Sequence, residues 1–136
     1  MNDTADAMKG RFTARERPMT DRLAKLVALR KAVEAGDWSF NLSCAVFPPE
    51  HAYAKCTFMF ADDAFNGSLD DALALLEAVL PGVQWAIYSR PPGVVASIIA
   101  GDPSGDLTEF NKFAATPARA LLLVILSALI ERERTG

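Results

Sequence analysis

The feature that most constrains this chain is its last long segment, Thr116 to Arg134, in which Ala120 through Leu126 pass without a polar residue. Thr116 is suited to cap a helix, because its hydroxyl can accept a hydrogen bond from a free N–H of the first turn. Pro117 suits the first helical position, where its missing N–H is not needed. The apolar residues lie all round the predicted helix and not on one stripe, so it must be covered on more than one side. Ser127 interrupts the run, and its hydroxyl is placed to bond back to the carbonyl of Leu123. The stretch from Ala120 to Ile130 falls well short of the roughly 20 residues that span a bilayer. It is a core helix, and the rest of the chain has to wrap it.

A length of 136 residues allows about one domain with a real core. Residues 1–18 carry no apolar period and read as a disordered leader, leaving 19–136 as a single domain. Thr20 caps the first predicted helix, which places Leu23, Leu26, Val27, Leu29 and Val33 on one side and stops at Gly36. Arg30 and Glu34 fall on that same side, spaced to pair with each other. Alternation then takes over. Trp38, Phe40, Leu42, Cys44 and Val46, then Ala52, Ala54, Cys56, Phe58 and Phe60, predict an antiparallel hairpin about Phe47–Glu50. Asp62 to Gly67 reads as a loop. Ser68 caps a second helix whose apolar face is Leu69, Ala72, Leu73, Leu76, Val79 and Leu80, with Pro81-Gly82 as the stop.

Val83 to Arg90 predicts a third strand with Val83, Trp85 and Ile87 on one face, and Val94 to Ala100 a fourth that is apolar on both faces. Residues 101–115 read as a polar loop apart from Phe110 and Phe113. The expected fold is α+β: a layered α/β/α sandwich with a mainly antiparallel four-stranded sheet and three helices. Four strands make a sheet nearly 20 Å wide, at roughly 4.8 Å per strand. Three helices of about 10 Å cannot cover both faces of it, so a second copy is expected to complete one face as a homodimer.

The residues offer little chemistry. His51, the only histidine, stands beside a Pro-Pro turn. A Cys–His pair would need Cys44 or Cys56 next to it, and alternation puts both thiols on the core side. Asp62 to Asp70 has the acid, Asn and Gly of a calcium loop. However, Ala64 occupies a ligand position and Leu73 stands where the bidentate Glu belongs. Gly101 to Asp106 lacks the ending of a phosphate-binding loop, and Asp102 and Asp106 read as an exposed turn. No catalytic residue, cofactor or metal is assigned. Tyr53, Tyr88 and Arg90 are the candidate interaction surface, with Trp85 assigned to packing. Thr20, Ser68 and Thr116 are structural caps.

Charge is unevenly spread. Residues 1–35 carry eight Lys/Arg against five acids, net +3, while the remainder carries six against twelve, net −6, which makes −3 for the chain. A basic first third admits an acidic partner, although a solvated helix face is the simpler reading. Two cysteines in no paired spacing fit a reducing compartment, and a cytoplasmic protein is expected with no membrane partner.

Ser68-Leu69-Asp70-Asp71-Ala72-Leu73-Ala74-Leu75, followed by Leu80-Pro81-Gly82 and Trp85, is similar to the central part of the phage ABA sandwich domain. Ala115-Thr116-Pro117-Ala118-Arg119-Ala120-Leu121 is similar to the start of that domain's C-terminal helix. The resemblance covers roughly residues 20–130. It implies an α/β/α sandwich of phage or prophage type and carries neither an activity nor catalytic residues. The expected function is therefore a non-enzymatic interaction module, with a protein partner or a second copy. The alternatives are a nucleic-acid accessory protein using the basic N-terminal region, or a small-ligand-binding domain or enzyme with an unrecognised site.

Overall fold

The computed structural model describes residues 20–47, 57–101 and 105–135. In chain order these form α1 (Asp21–Ala35), α2 (Phe40–Val46), α3 (Thr57–Phe65), α4 (Leu69–Val79), β1 (Gln84–Arg90), β2 (Gly93–Gly101), β3 (Leu107–Ala114) and α5 (Pro117–Thr135). The α+β class holds. The layering differs from the expectation: the sheet has three antiparallel strands in the order β1-β2-β3, and the described helices number five.

The C-terminal helix is the centre of the molecule. Every residue from Ala120 to Ile130 is buried, because α5 packs at once against α1, α3, α4, β2 and β3. Its all-round apolar surface is thus matched by helices on its flanks and the sheet beneath. Ser127 accepts from Arg30 Nη1 at 3.3 Å, which seats the one polar side chain of the run. Arg30 is thereby engaged with α5, and Glu34 faces Lys112 of β3 at 3.8 Å, in place of the pair expected between them.

Three caps set the helix starts. The hydroxyls of Thr20, Ser68 and Thr116 accept from the N–H groups of Leu23, Asp71 and Arg119 at 3.0, 3.2 and 3.3 Å. At the end of α1, Gly36 takes φ 74°, and the N–H of Asp37 reaches back to Ala32 O at 2.8 Å. A residue with a Cβ is disfavoured in that left-handed conformation. In α4 the buried side chains are Ala72, Leu75 and Leu76, with Leu80 buried at its C-cap. The core face thus shares Ala72, Leu76 and Leu80 with the predicted one and adds Leu75, while Leu69, Leu73 and Val79 lie at its margin. Those three are only partly buried against the core.

The hairpin expected over residues 38–60 is absent from its described parts. Ser39 caps α2 by accepting from Leu42 N at 3.2 Å, and Ser43, Val46 and Phe47 are buried. In α3, Thr57, Phe60, Ala61, Ala64 and Phe65 are buried, the i, i+3, i+4, i+7, i+8 pattern of a helix. Asp62 and Asp63 lie inside this helix, so the stretch read as a loop does not have the shape of a calcium-binding turn. Conversely, the stretch read as the loop 101–115 contains β3.

All described helices lie on one side of the sheet. Ala96 and Ile98 of β2 join the hydrophobic core, with Val94, Ile87, Phe110 and Ala114 packed partly against it. Val95 is buried yet stands outside that core, on the other face. Gly93 has no room for a side chain, since a Cβ there would collide with the Ala114 carbonyl of β3.

Candidate interaction surface

The outer face of the sheet follows from its register. Tyr88 lies opposite Val95, and Val95 opposite Phe113. Directly opposed residues of an antiparallel pair share a face, so these three form one apolar row across all three strands. The next rows are Ala86–Ser97–Asn111 and Gln84–Ile99–Glu109, while Arg90 opposite Gly93 closes one end and Gly101 opposite Leu107 the other. Among the described residues no helix covers this face.

Within the apolar row Val95 is 5 % exposed, whereas Tyr88 and Phe113 are each 49 % exposed. A sealed aliphatic centre flanked by half-exposed aromatic rings matches the anatomy of an interface core. Leu107, 73 % exposed, stands on the same face at the far end of β3, beyond Asn111 and Glu109. Beside the row, Ser97 is buried and its hydroxyl donates to Asn111 Oδ1, which satisfies the one polar group in the floor. A shallow depression of about 300 Å³ runs over Gln84, Trp85, Ala86, Tyr88, Ser97, Ile99 and Glu109. Among the described residues Glu109 is the one carboxylate in this lining, and neither a thiol nor an imidazole joins it. Such a surface recognises by stacking, apolar contact and a few hydrogen bonds.

Tyr88 and Arg90, two of the three candidate residues, therefore share this face on β1. Tyr53 lies outside the described residues. Trp85 was expected to pack. It is 47 % exposed and takes no part in the core cluster, although its register partner Ile98 is fully buried. The reason is its position: β1 is an edge strand, and α5 covers only β2 and β3. Leu107, Glu109 and Phe113 escape the sequence reading because all three belong to β3, and Val95 because a strand apolar on both faces does not show which face stays open. No clean alternation marks this strand: Leu107, Glu109, Asn111 and Phe113 share one face and Thr108, Phe110, Lys112 and Ala114 the other, each mixing apolar with polar residues.

A second cluster was also missed. Trp38 stacks on Phe65 with centroids 5.1 Å apart and donates from Nε1 to Asp62 Oδ1 at 2.5 Å. The Arg119 guanidinium lies 3.9 Å from the Phe65 ring centroid and donates from Nε to Phe65 O at 3.2 Å. Its groups are matched to one another, so it ties the end of α1, α3 and the start of α5 together. Nearby, the Cys44 thiol is pushed above its ordinary 9.0, first by desolvation and then by the negative Asp62. That thiol is held in its unreactive form. Among the described residues no group of three or more His, Cys, Asp or Glu is assembled as a metal site. No described helix is long and apolar enough to cross a membrane.

The fold and face together define an α+β protein in which no described helix covers the outer surface of the sheet. Compared with family models, curated proteins and solved structures, the chain matches none.

Proposed function

We propose that this protein is a non-enzymatic interaction module that works through the outer face of its sheet and takes a protein partner. The observation that carries this reading is the row Tyr88–Val95–Phe113, sealed at its centre and aromatic at its rim. Exposed apolar surface of this kind, framed by Gln84, Arg90, Glu109 and Asn111, is what soluble chains retain where they bind something. A phage or prophage setting rests on the resemblance of the Ser68–Leu75 and Ala115–Leu121 stretches alone. Both are accounted for here as cap-and-core segments of α4 and α5. A cytoplasmic location rests on the two unpaired-spacing cysteines.

The reading is tested by placing a photo-crosslinking amino acid at Phe113 and, as a control, at Glu77 on α4, in the native host. Crosslinks to one defined protein from position 113 and none from 77 are the expected result. Equal crosslinking from both positions, or none from either, would remove the outer face from consideration.

A further inference from the structure

Among the described residues two edges bound the sheet, β1 and β3. A sheet edge presents unpaired N–H and C=O groups, and folded proteins protect such edges with charge, proline or short length. β3 has that protection in Glu109 and Lys112. β1 does not: Gln84-Trp85-Ala86-Ile87-Tyr88-Ser89 is uncharged, and its only charge is the terminal Arg90. Trp85 and Tyr88 belong by register to opposite faces of the sheet, and both are about half exposed. A partner laid flat on one face covers one of them. A strand added at the edge touches both.

We propose that the edge of β1 is occupied by β1 of a second copy of this chain, antiparallel, so that the two sheets join into one. This rests on the reading of the sheet as the interaction surface and names the first partner it takes. The outer faces of the two copies then merge into a single wider surface. This replaces the sandwich-type dimer expected from the sequence, in which the second copy would lie across the face.

The register follows from hydrogen-bond phase. Arg90 and Gly93 are the closing pair of a hairpin with a two-residue connection. Alternate residues back from Arg90, namely Tyr88, Ala86 and Gln84, therefore bond towards β2, while Ser89, Ile87 and Trp85 turn their N–H and C=O groups outward. A two-fold axis at Ile87 brings every outward group to a partner, with Ile87 against the partner's Ile87 and Trp85 against the partner's Ser89. It also uses the whole strand, ~23 Å at 3.3 Å per residue. Large side chains meet small ones: Tyr88 stands beside the partner's Ala86, and Trp85 beside the partner's Ser89. Arg90 faces the partner's Gln84, whose amide oxygen accepts from the guanidinium, and no like charges meet. A slip of one residue would exchange the two faces and break the hydrogen-bond phase.

Strand addition of this kind draws its affinity from main-chain hydrogen bonds and sits at the small end of interface sizes. Sedimentation equilibrium of the full chain should accordingly show a dimer with a dissociation constant on the order of micromolar. A mass that stays monomeric up to about 200 μM would overturn the proposal. Ser89→Pro removes an outward N–H without touching the β1–β2 bonds and should weaken the dimer by at least about tenfold. Phe113→Lys, on the far strand, should leave it unchanged. The opposite pattern would overturn edge pairing in favour of face-to-face packing.

A gain of linkage provides a second arm that does not depend on how Ser89→Pro folds. Chains carrying Ala86→Cys and Tyr88→Cys, each with Cys44→Ser and Cys56→Ser, are mixed and oxidised. The register predicts disulfide-linked heterodimers in excess of either homodimer, and their absence would overturn it. A monomer that still crosslinks a protein through position 113 would sink edge pairing and leave the outer-face reading standing. A dimer with no such crosslink would do the reverse.

Discussion

Two serines separate what a hydroxyl contributes from what it costs. Ser68 Oγ accepts from Asp71 N and satisfies an otherwise free donor at the start of α4. Ser68→Ala should lower stability by about 1 kcal/mol, read as a lower denaturant midpoint at unchanged slope. Ser43 is fully buried in α2, and its Oγ has no hydrogen-bond partner among the described residues. Ser43→Ala removes an unsatisfied buried oxygen, so it should be neutral or stabilise by up to about 1 kcal/mol. A loss of stability there equal to that of Ser68→Ala would mean that the hydroxyl is bonded after all. The Ser68 cap was legible in the sequence because its helix pattern was clean. Ser43 was not, since alternation had assigned it to the polar face of a strand.

Cys44 gives a pH-dependent test at the same scale. Its thiol is raised above 9.0 by desolvation and by Asp62. The folded state therefore holds this proton more tightly than the unfolded chain does. The contribution to stability is present below the unfolded value and is lost as pH rises through the folded one. In a Cys56→Ser background, alkylation of Cys44 should reach its half-maximal rate above pH 9.0 and accelerate on unfolding. A midpoint below that of a free thiol would show an activated cysteine.

At the scale of elements, burial decides which of two compatible periods a segment adopts. Residues four apart share a side in both a strand and a helix, so Leu42 and Val46 satisfied either reading. The decisive positions were Ser43 in α2, Phe47 at its C-cap, and Thr57, Ala61 and Phe65 in α3, all buried and all out of phase with alternation. Extending the window past Phe60 would have exposed the helical period of α3. β3 was hidden for a different reason: Phe110 and Phe113 are an odd number of residues apart, so the two largest apolar side chains of the strand lie on opposite faces. The central helix was legible because an unbroken apolar run admits no exposed face. Leu122 of α5 is completely buried, and Leu122→Ala should cost about 2–5 kcal/mol. Leu107→Ala, on the open face of β3, should stay within about 0.5 kcal/mol of the parent. Thermal or denaturant unfolding of the pair checks the difference. Equal costs would mean that Leu107 is covered in the molecule's working state.

At the scale of the molecule, the basic first third has to be weighed against what its charges already do. Arg22 donates from Nη1 to Val46 O at 2.9 Å and pairs with Glu133 at 3.4 Å, so it joins α1 to the end of α2 and to α5. Lys25 pairs with Asp21 at 2.9 Å, and Arg30 holds Ser127. These cations are largely occupied with the protein's own groups. A nucleic-acid role would have to come from exposed Lys31 and from Lys9, Arg11, Arg15 and Arg17, the last four nearly balanced by Asp3, Asp6 and Glu16. Binding that neutralises so few phosphates would be weak and would fall steeply with salt. The stretch 1–18 precedes the Thr20 cap, and the first core residue among the described ones is Leu23. Deleting residues 1–18 should therefore leave the melting temperature within about 2 °C of the full chain, because no described core contact is removed. The full chain should also pass a DNA column without retention at about 150 mM salt. Retention that disappears with the deletion would transfer the function to the basic N-terminal region. A large drop in melting temperature would mean instead that these residues cover part of the sheet, and the open face would have its occupant within the chain.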